Sequence, residues 1–139
     1  MSSDRPRPQW LVTGGVPESL REVAGHQPVD GITRFRLFRG LPWTGAIVHC
    51  AVHFVSEEYS PGSEWRYTQP QAHEFDEVNI LVSERGQLRF RYEVDGATEM
   101  VESPSTVFLP AGTTHRMEAA GGTGTFICIH LKREGSHGG

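Results

Sequence analysis

The chain lacks the features that mark several large protein classes. It has two cysteines, Cys50 and Cys128, in 139 residues. Each lies inside a strand-like run and reads as a small buried hydrophobe, not as half of a disulfide or metal pair. No apolar run approaches the roughly 20 residues that a spanning helix needs, so no membrane partner is expected. Positive charge is not in excess: 13 Lys and Arg stand against 17 Asp and Glu, for a formal net charge of −4. The two signs are mixed along the chain, without the basic stripe of a nucleic-acid binder. The opening residues Met1-Ser2-Ser3-Asp4-Arg5-Pro6-Arg7-Pro8 contain no apolar signal core, and a cytoplasmic location is the expectation. There is no internal repeat and no low-complexity domain.

What the chain does have is punctuation. Its 16 glycines and 9 prolines are spread between short patterned segments and do not gather into a linker. That spacing predicts an all-β domain of many turns. Strands are expected over Ile32–Arg39, Ala46–Val55, Phe75–Val82, Leu88–Val94, Ala97–Val101, Thr106–Leu109, His115–Ala119 and Thr125–Leu131. Asp95-Gly96 is a strong hairpin signal. A two-turn helix, or equally a turn, is expected over Pro17–Gly25, with proline in its first turn and glycine as a stop. Leu41–Gly45 reads as a turn. Eight or nine short strands imply an antiparallel sandwich or barrel. Residues 46–131 would form that barrel, residues 1–45 a helical or extended segment packed on it, and residues 132–139 a polar tail.

The chemistry-bearing residues concentrate between Gln71 and His115. Residues two apart on a strand share a face, so Gln71, His73 and Glu77 can point into one interior. On a straight strand, four residues separate His73 and Glu77 by about 13 Å. A bend or bulge is therefore required if both are to reach one ion. His115 follows the rigid Pro110-Ala111-Gly112 turn. Two histidines and one carboxylate form the facial set typical of non-haem Fe(II) and used for other divalent metals. Gln71 would add a weaker oxygen ligand. The alternative is that these are unrelated surface residues. Asn79 shares the face of Glu77 and would orient substrate or a metal-bound water, or serve as a hydrogen-bonded core amide. His49 and His53 share a strand face and would act as acid–base groups if it points inward, or as structural histidines. His130 on the last strand has the same two readings. Trp65 and Tyr67 would line a pocket mouth or pack in the core.

Two stretches carry a resemblance. Gln71-Ala72-His73-Glu74-Phe75-Asp76-Glu77, with Gly86 following, resembles the first motif of the cupin superfamily, H-x-H-x(3,4)-E…G. Pro110-Ala111-Gly112-Thr113-Thr114-His115 is similar to its second motif, P-x-G-x-x-H. The resemblance covers roughly the last two-thirds of the chain and implies a single jelly-roll β-barrel. It places His73, Glu77 and His115 at metal-ligand positions and Gln71 where the first ligand histidine usually stands. The sequence departs from the pattern at Gln71, at Pro104 and Ala119, and in a Glu77–Gly86 interval two residues longer than usual. The resemblance implies a divalent metal cofactor (Fe, Mn, Ni, Co or Zn), a small-molecule substrate and a homodimer. A dioxygenase-type reaction is the first expectation, with Glu77, Asn79, His49 and His53 as catalytic candidates. A polyketide-type cyclase or isomerase is the second, and a non-catalytic ligand-binding cupin the third.

Overall fold

A computed structural model describes residues 12–39, 46–85 and 87–132. Nine strands form among them: β1 (Val16–Glu18), β2 (Ile32–Arg39), β3 (Ile47–Val55), β4 (Asp76–Val82), β5 (Arg89–Val94), β6 (Ala97–Glu102), β7 (Ser105–Leu109), β8 (His115–Gly121) and β9 (Gly124–Leu131). They build two antiparallel sheets, a six-stranded one in the order β1-β2-β3-β9-β4-β7 and a three-stranded one in the order β6-β5-β8. The result is an all-β jelly-roll barrel. The turn expected at residues 41–45, Gly86 and the tail beyond Lys132 lie outside the described residues.

Alternation explains each strand. On β5, Phe90 and Tyr92 turn inward and are buried, while Arg89, Arg91 and Glu93 face outward. Asp95 and Gly96 both take positive φ, at 48° and 87°, and close the β5–β6 hairpin. The two sheets meet where Phe90 of β5 stacks on Phe126 of β9, with ring centroids 4.4 Å apart. Leu81, Leu88 and Ala119 complete that contact with almost no exposure. Large apolar side chains of this kind each contribute on the order of 2 kcal/mol by leaving water.

The end of the large sheet beyond this core has a different inner face. Register aligns three rows across β2, β3, β9 and β4: Arg34, His53, Phe126 and Leu81; then Arg36, Ala51, Cys128 and Asn79; then Arg39, His49, His130 and Glu77. A bulge in β2 between Arg36 and Phe38 inserts one residue and returns Arg39 to the inner face opposite His49. A strand face that would ordinarily be apolar is thus polar over its last two rows.

The expected helix over Pro17–Gly25 is corrected by the structure. Val16–Glu18 is an edge strand, and only Leu20–Glu22 turns, as 3-10 helix. Proline is tolerated on an edge. Glu18 is held against the sheet by Arg34 and Arg36, at 2.9 and 3.2 Å. Ser19 caps the turn by accepting from the Arg21 N–H, and Val23 leaves it in an extended conformation. One buried residue, Leu20, is too little to sustain an α-helix this short.

Residues 65–68 cross between the sheets and lead into the first motif. Their backbone is held by the buried Glu118 of β8, whose carboxylate accepts from the N–H groups of Arg66, Tyr67 and Thr68 and from the Thr68 hydroxyl. Glu118→Ala strands three backbone donors in a dry site, each costing about 1–3 kcal/mol. The expected loss is about 3 kcal/mol or more in denaturant unfolding. By contrast, Glu93→Ala removes a partly exposed pair with Arg116 and should stay within about 1 kcal/mol.

Candidate metal centre

Backbone pairing brings the two distant motifs together. Gln71 and His115 exchange both backbone hydrogen bonds, at 2.8 and 2.7 Å, and the Gly112 N–H donates to the His73 carbonyl at 2.8 Å. Pro110–Thr113 is a turn closed by a 3.2 Å bond, with Gly112 at φ 85° in its third position. That conformation requires glycine. The Asp76 carboxylate accepts from the Ala111 N–H at 2.8 Å and ties this turn to the start of β4. Residues 74 and 75 bend the chain before β4, supplying the bend that the His73–Glu77 spacing requires.

Three imidazoles converge on one oxygen. His73 Nε2, His115 Nε2 and His130 Nε2 lie 3.7, 3.4 and 3.2 Å from Glu77 Oε1. Two ligand groups are formed among the described residues, His73–Glu77–His115 and Glu77–Cys128–His130, each with its donor atoms within 4.8 Å of one another. Bonds of about 2.1 Å to a divalent ion place neighbouring ligands about 3.0 Å apart in an octahedron and about 3.4 Å apart in a tetrahedron. The observed separations sit on that scale, and the donor set is the N/O mixture that such ions take. The His115 Nδ1 lies 3.1 Å from the Thr113 carbonyl. A carbonyl only accepts, so Nδ1 carries a proton; burial pushes His115 down, but the hydrogen bond to Glu77 outweighs it and raises the group above its ordinary value, so that Nε2–H donates to the carboxylate and a metal ion would take the place of that proton.

Glu77 is aimed by a buried chain. Asn79 donates to Glu77 Oε2 at 2.8 Å and accepts from the Tyr92 hydroxyl at 2.9 Å. Burial pushes the Glu77 carboxyl up, but hydrogen bonds from His115, His130 and Asn79 outweigh it and hold the group well below the usual carboxylate range. Burial and the nearby Glu77 charge push the Tyr92 hydroxyl far above its ordinary value. The Cys128 thiol lies 3.5 Å from both Glu77 Oε2 and His130 Nε2, and burial followed by the Glu77 charge keeps it protonated.

Above this cluster opens a cavity of about 380 Å³, within the range of small-molecule sites. Six of the seven histidines line it: His26, His49, His53, His73, His115 and His130. His49 and His53 therefore face inward. The small Ala51 between them leaves room for the buried Arg34, which donates from Nη1 to His53 Nε2 at 2.9 Å and from Nη2 to His49 Nε2 at 3.4 Å. Arg34 has no lone pair to offer, so both imidazoles are neutral with their protons on Nδ1. Those two Nδ1 atoms are buried and have no hydrogen-bond partner among the described residues. Burial first, then the His130 and Arg34 charges, bring His49 down to about 4, and burial with Arg34 takes His53 well below its ordinary value.

Of the residues anticipated from sequence, His73, Glu77, His115, His49 and His53 share the cavity. Asn79 lies behind Glu77. Gln71 lines the cavity wall, but its side-chain nitrogen donates to the Ala24 carbonyl at 2.6 Å. Tyr67 is core, donating nothing to the cavity and accepting from the Ala119 N–H, while Trp65 stacks under Arg116. Arg34 and His26 were not anticipated. The signal for Arg34 was present, since Arg34 and Arg36 share one face of a strand between apolar neighbours. Which face turns inward becomes legible only from the pairing with β3.

Neither a family model nor a curated relative matches the sequence. Solved structures match the fold. An RmlC-like cupin from Shewanella frigidimarina is 16% identical, over 83% of this chain and 88% of that one, with a TM-score of 0.50. KdgF from Halomonas sp. is 20% identical over 78% and 88%, with a TM-score of 0.54. The polyketide cyclase RemF from Streptomyces resistomycificus is 17% identical over 92% and 81%, with a TM-score of 0.58. At such identities the likeness establishes architecture: the chain has the cupin fold. No helix among the described residues is long and apolar enough to cross a membrane.

The neutral imidazoles make stability pH-dependent. His49 and His53 have folded values below the 6.5 of the unfolded chain. As pH falls, the unfolded state takes up these protons first, so their contribution is complete above about pH 6.5 and declines towards pH 4. In the metal-free protein, urea unfolding between pH 6.5 and 4 should show a shallower decline for His53→Phe than for the wild type. Equal slopes would mean that His53 titrates alike in the folded and the unfolded chain.

Proposed function

We propose that this chain is a metal-dependent enzyme acting on a small, oxygen-bearing organic molecule, by proton transfer at a carbon next to a polarised oxygen. The observation that carries this is the convergence of His73, His115 and His130 on Glu77 beneath an imidazole-lined cavity. A divalent ion held there would supply Lewis acidity to a carbonyl or enolate oxygen. The chain supplies the rest. His26 donates Nδ1–H to the Ala24 carbonyl at 2.9 Å, which makes Nε2 the lone-pair nitrogen of a cavity-lining ring and the proton acceptor of this scheme. The Arg34 corner offers donors where negative charge would develop on oxygen, the arrangement that stabilises such charge without reorganisation. The aimed carboxylate of Glu77 is kept ionised by its partners and stays a ligand.

This reading groups the chain with cyclases, isomerases or lyases, and the fold it shares with a polyketide cyclase is in keeping with that. An oxygenase is the second reading, favoured by the His73–Glu77–His115 facial set. Against it stands the Cys128 thiol, 3.5 Å from Glu77 and from His130. A thiol is a liability beside activated oxygen.

The test begins with metal content after purification without chelator or added metal. About one equivalent is expected in the wild type and little in His73→Ala or His115→Ala. Loaded protein is then incubated in D₂O with a panel of enolisable ketones and β-keto acids, and C–H exchange is followed by proton NMR. Exchange should vanish with EDTA and drop by about 10²-fold or more in His26→Phe at unchanged metal content. Oxygen uptake by the Fe(II)-loaded protein, with no exchange, would favour the oxygenase. Failure to bind any candidate ion would end both readings.

A further inference from the structure

We propose that the substrate is an organic acid, and that Arg39 holds its carboxylate at the rim of the cavity while the reacting oxygen faces the Glu77 end. This rests on the metalloenzyme reading above and names its substrate class.

The first argument is how Arg39 comes to face the cavity. Alternation along β2 puts Arg34 and Arg36 on the inner face and would put Phe38 there next. The bulge between Arg36 and Phe38 adds one residue, so Phe38 pairs with Cys50 and Arg39 takes the position opposite His49. A guanidinium thereby stands where a regular strand would have placed an aromatic ring. Arg39 lines the cavity and remains exposed, as a group at its mouth does. Bulges re-aim side chains in this way beside active sites.

The second argument is a count of charge. Burial pushes the Glu18 carboxyl up, but the Arg34 hydrogen bond and the charges of Arg34, Arg36 and Arg39 hold it below its usual range. One carboxylate thus faces three arginines, and its two contacts go to Arg34 and Arg36, at 2.9 and 3.2 Å. Arg34 is committed further, to His53 and His49. Arg116, which also lines the cavity, is paired with Glu93 and stacked on Trp65. Arg39 makes no ion pair with a carboxylate among the described residues, the cavity-lining Glu22 included. One unpaired guanidinium presents a planar fork that matches one carboxylate in a bidentate contact. That is the demand of a monoanion; a phosphate dianion would call for more unpaired positive charge than this corner holds.

The third argument is distance. Arg39, His49, His130 and Glu77 form one row across β2, β3, β9 and β4. Three steps of about 4.8 Å set Arg39 and Glu77 about 14 Å apart along the sheet. Both side chains reach inward from that row. A short chain with a carboxylate at one end and a carbonyl at the other bridges the remaining span, and a cavity of about 380 Å³ holds it.

The experiment uses the full chain loaded with Zn(II) and calorimetric binding of three oxo acids: levulinate, 5-oxohexanoate and 6-oxoheptanoate. Each is measured beside the neutral diketone in which a methyl ketone replaces the carboxylate. At least one acid should bind about tenfold or more tightly than its diketone. Arg39→Gln should lower the affinity of that acid about tenfold and leave its diketone within about twofold, and Arg39→Lys should recover part of the loss. Circular dichroism and zinc content, unchanged in both variants, separate this from a structural effect. Acids that bind no better than their diketones overturn the proposal and leave the metal enzyme. So does acid binding that is unchanged in a folded Arg39→Gln, as a carboxylate held by the metal alone would give. Inorganic phosphate that competes with the acid at lower concentration than acetate, and loses that advantage in Arg39→Gln, assigns the corner to phosphate and overturns the proposal as well. A chain that binds no zinc overturns the metal reading, and the same titrations on the metal-free chain still decide whether Arg39 holds a carboxylate.

Discussion

One buried carboxylate organises the functional end of this barrel. Glu77 sits on the inner face of β4, where alternation would ordinarily place an apolar residue. An isolated buried charge of this kind would neutralise or unfold its surroundings. It survives because positively polarised groups arrive from several independent elements. Asn79 comes from its own strand, His115 from the turn before β8, His130 from β9 and His73 from the bend ahead of β4. Removing the carboxylate would leave these groups facing one another, so their placement and its charge are mutually dependent.

The same logic extends across the large sheet. The row that contains Glu77 continues through His130 and His49 to Arg39, and the row two steps away contains Arg34 and His53. Arg34 bridges the two rows by donating to both histidines, and Glu18 neutralises it from the edge strand at 2.9 Å. The short N-terminal strand therefore has an electrostatic role in the cavity although it contributes little to the core. A small side chain, Ala51, makes the bridge possible. Charge, size and register act together here, and altering any one would disperse the polar wall.

The cavity is thus asymmetric. Its floor presents the Glu77 carboxylate ringed by three imidazoles, while the Arg34 corner presents donors. A molecule with one oxygen on the floor would meet hydrogen-bond donors at the other end. Such polarity suits a substrate that gains negative charge as it reacts, and it agrees with the neutral state in which burial and Arg34 hold His49 and His53.

Local patterning determined much of this. Glycine and proline spacing set the turns, alternation set the strands, and the Pro110–His115 and Gln71–Glu77 stretches named His73, Glu77 and His115, because these signals depend only on neighbours in the chain. The 17–25 segment was misjudged because a weak helical signal yielded to edge pairing and to the Glu18 ion pairs. The roles of His130, Arg34, His26 and Gln71 were not legible. Each depends on which residue lies opposite on another strand, and a single step of register moves a side chain to the other face of the sheet. Composition and motif specified a barrel with a polar end. Only tertiary structure decided that His130 stands beside Glu77 while the Gln71 side chain turns to Ala24, because pairing β4 with β9, and packing Gln71 on the cavity wall, brings together residues that the chain keeps far apart.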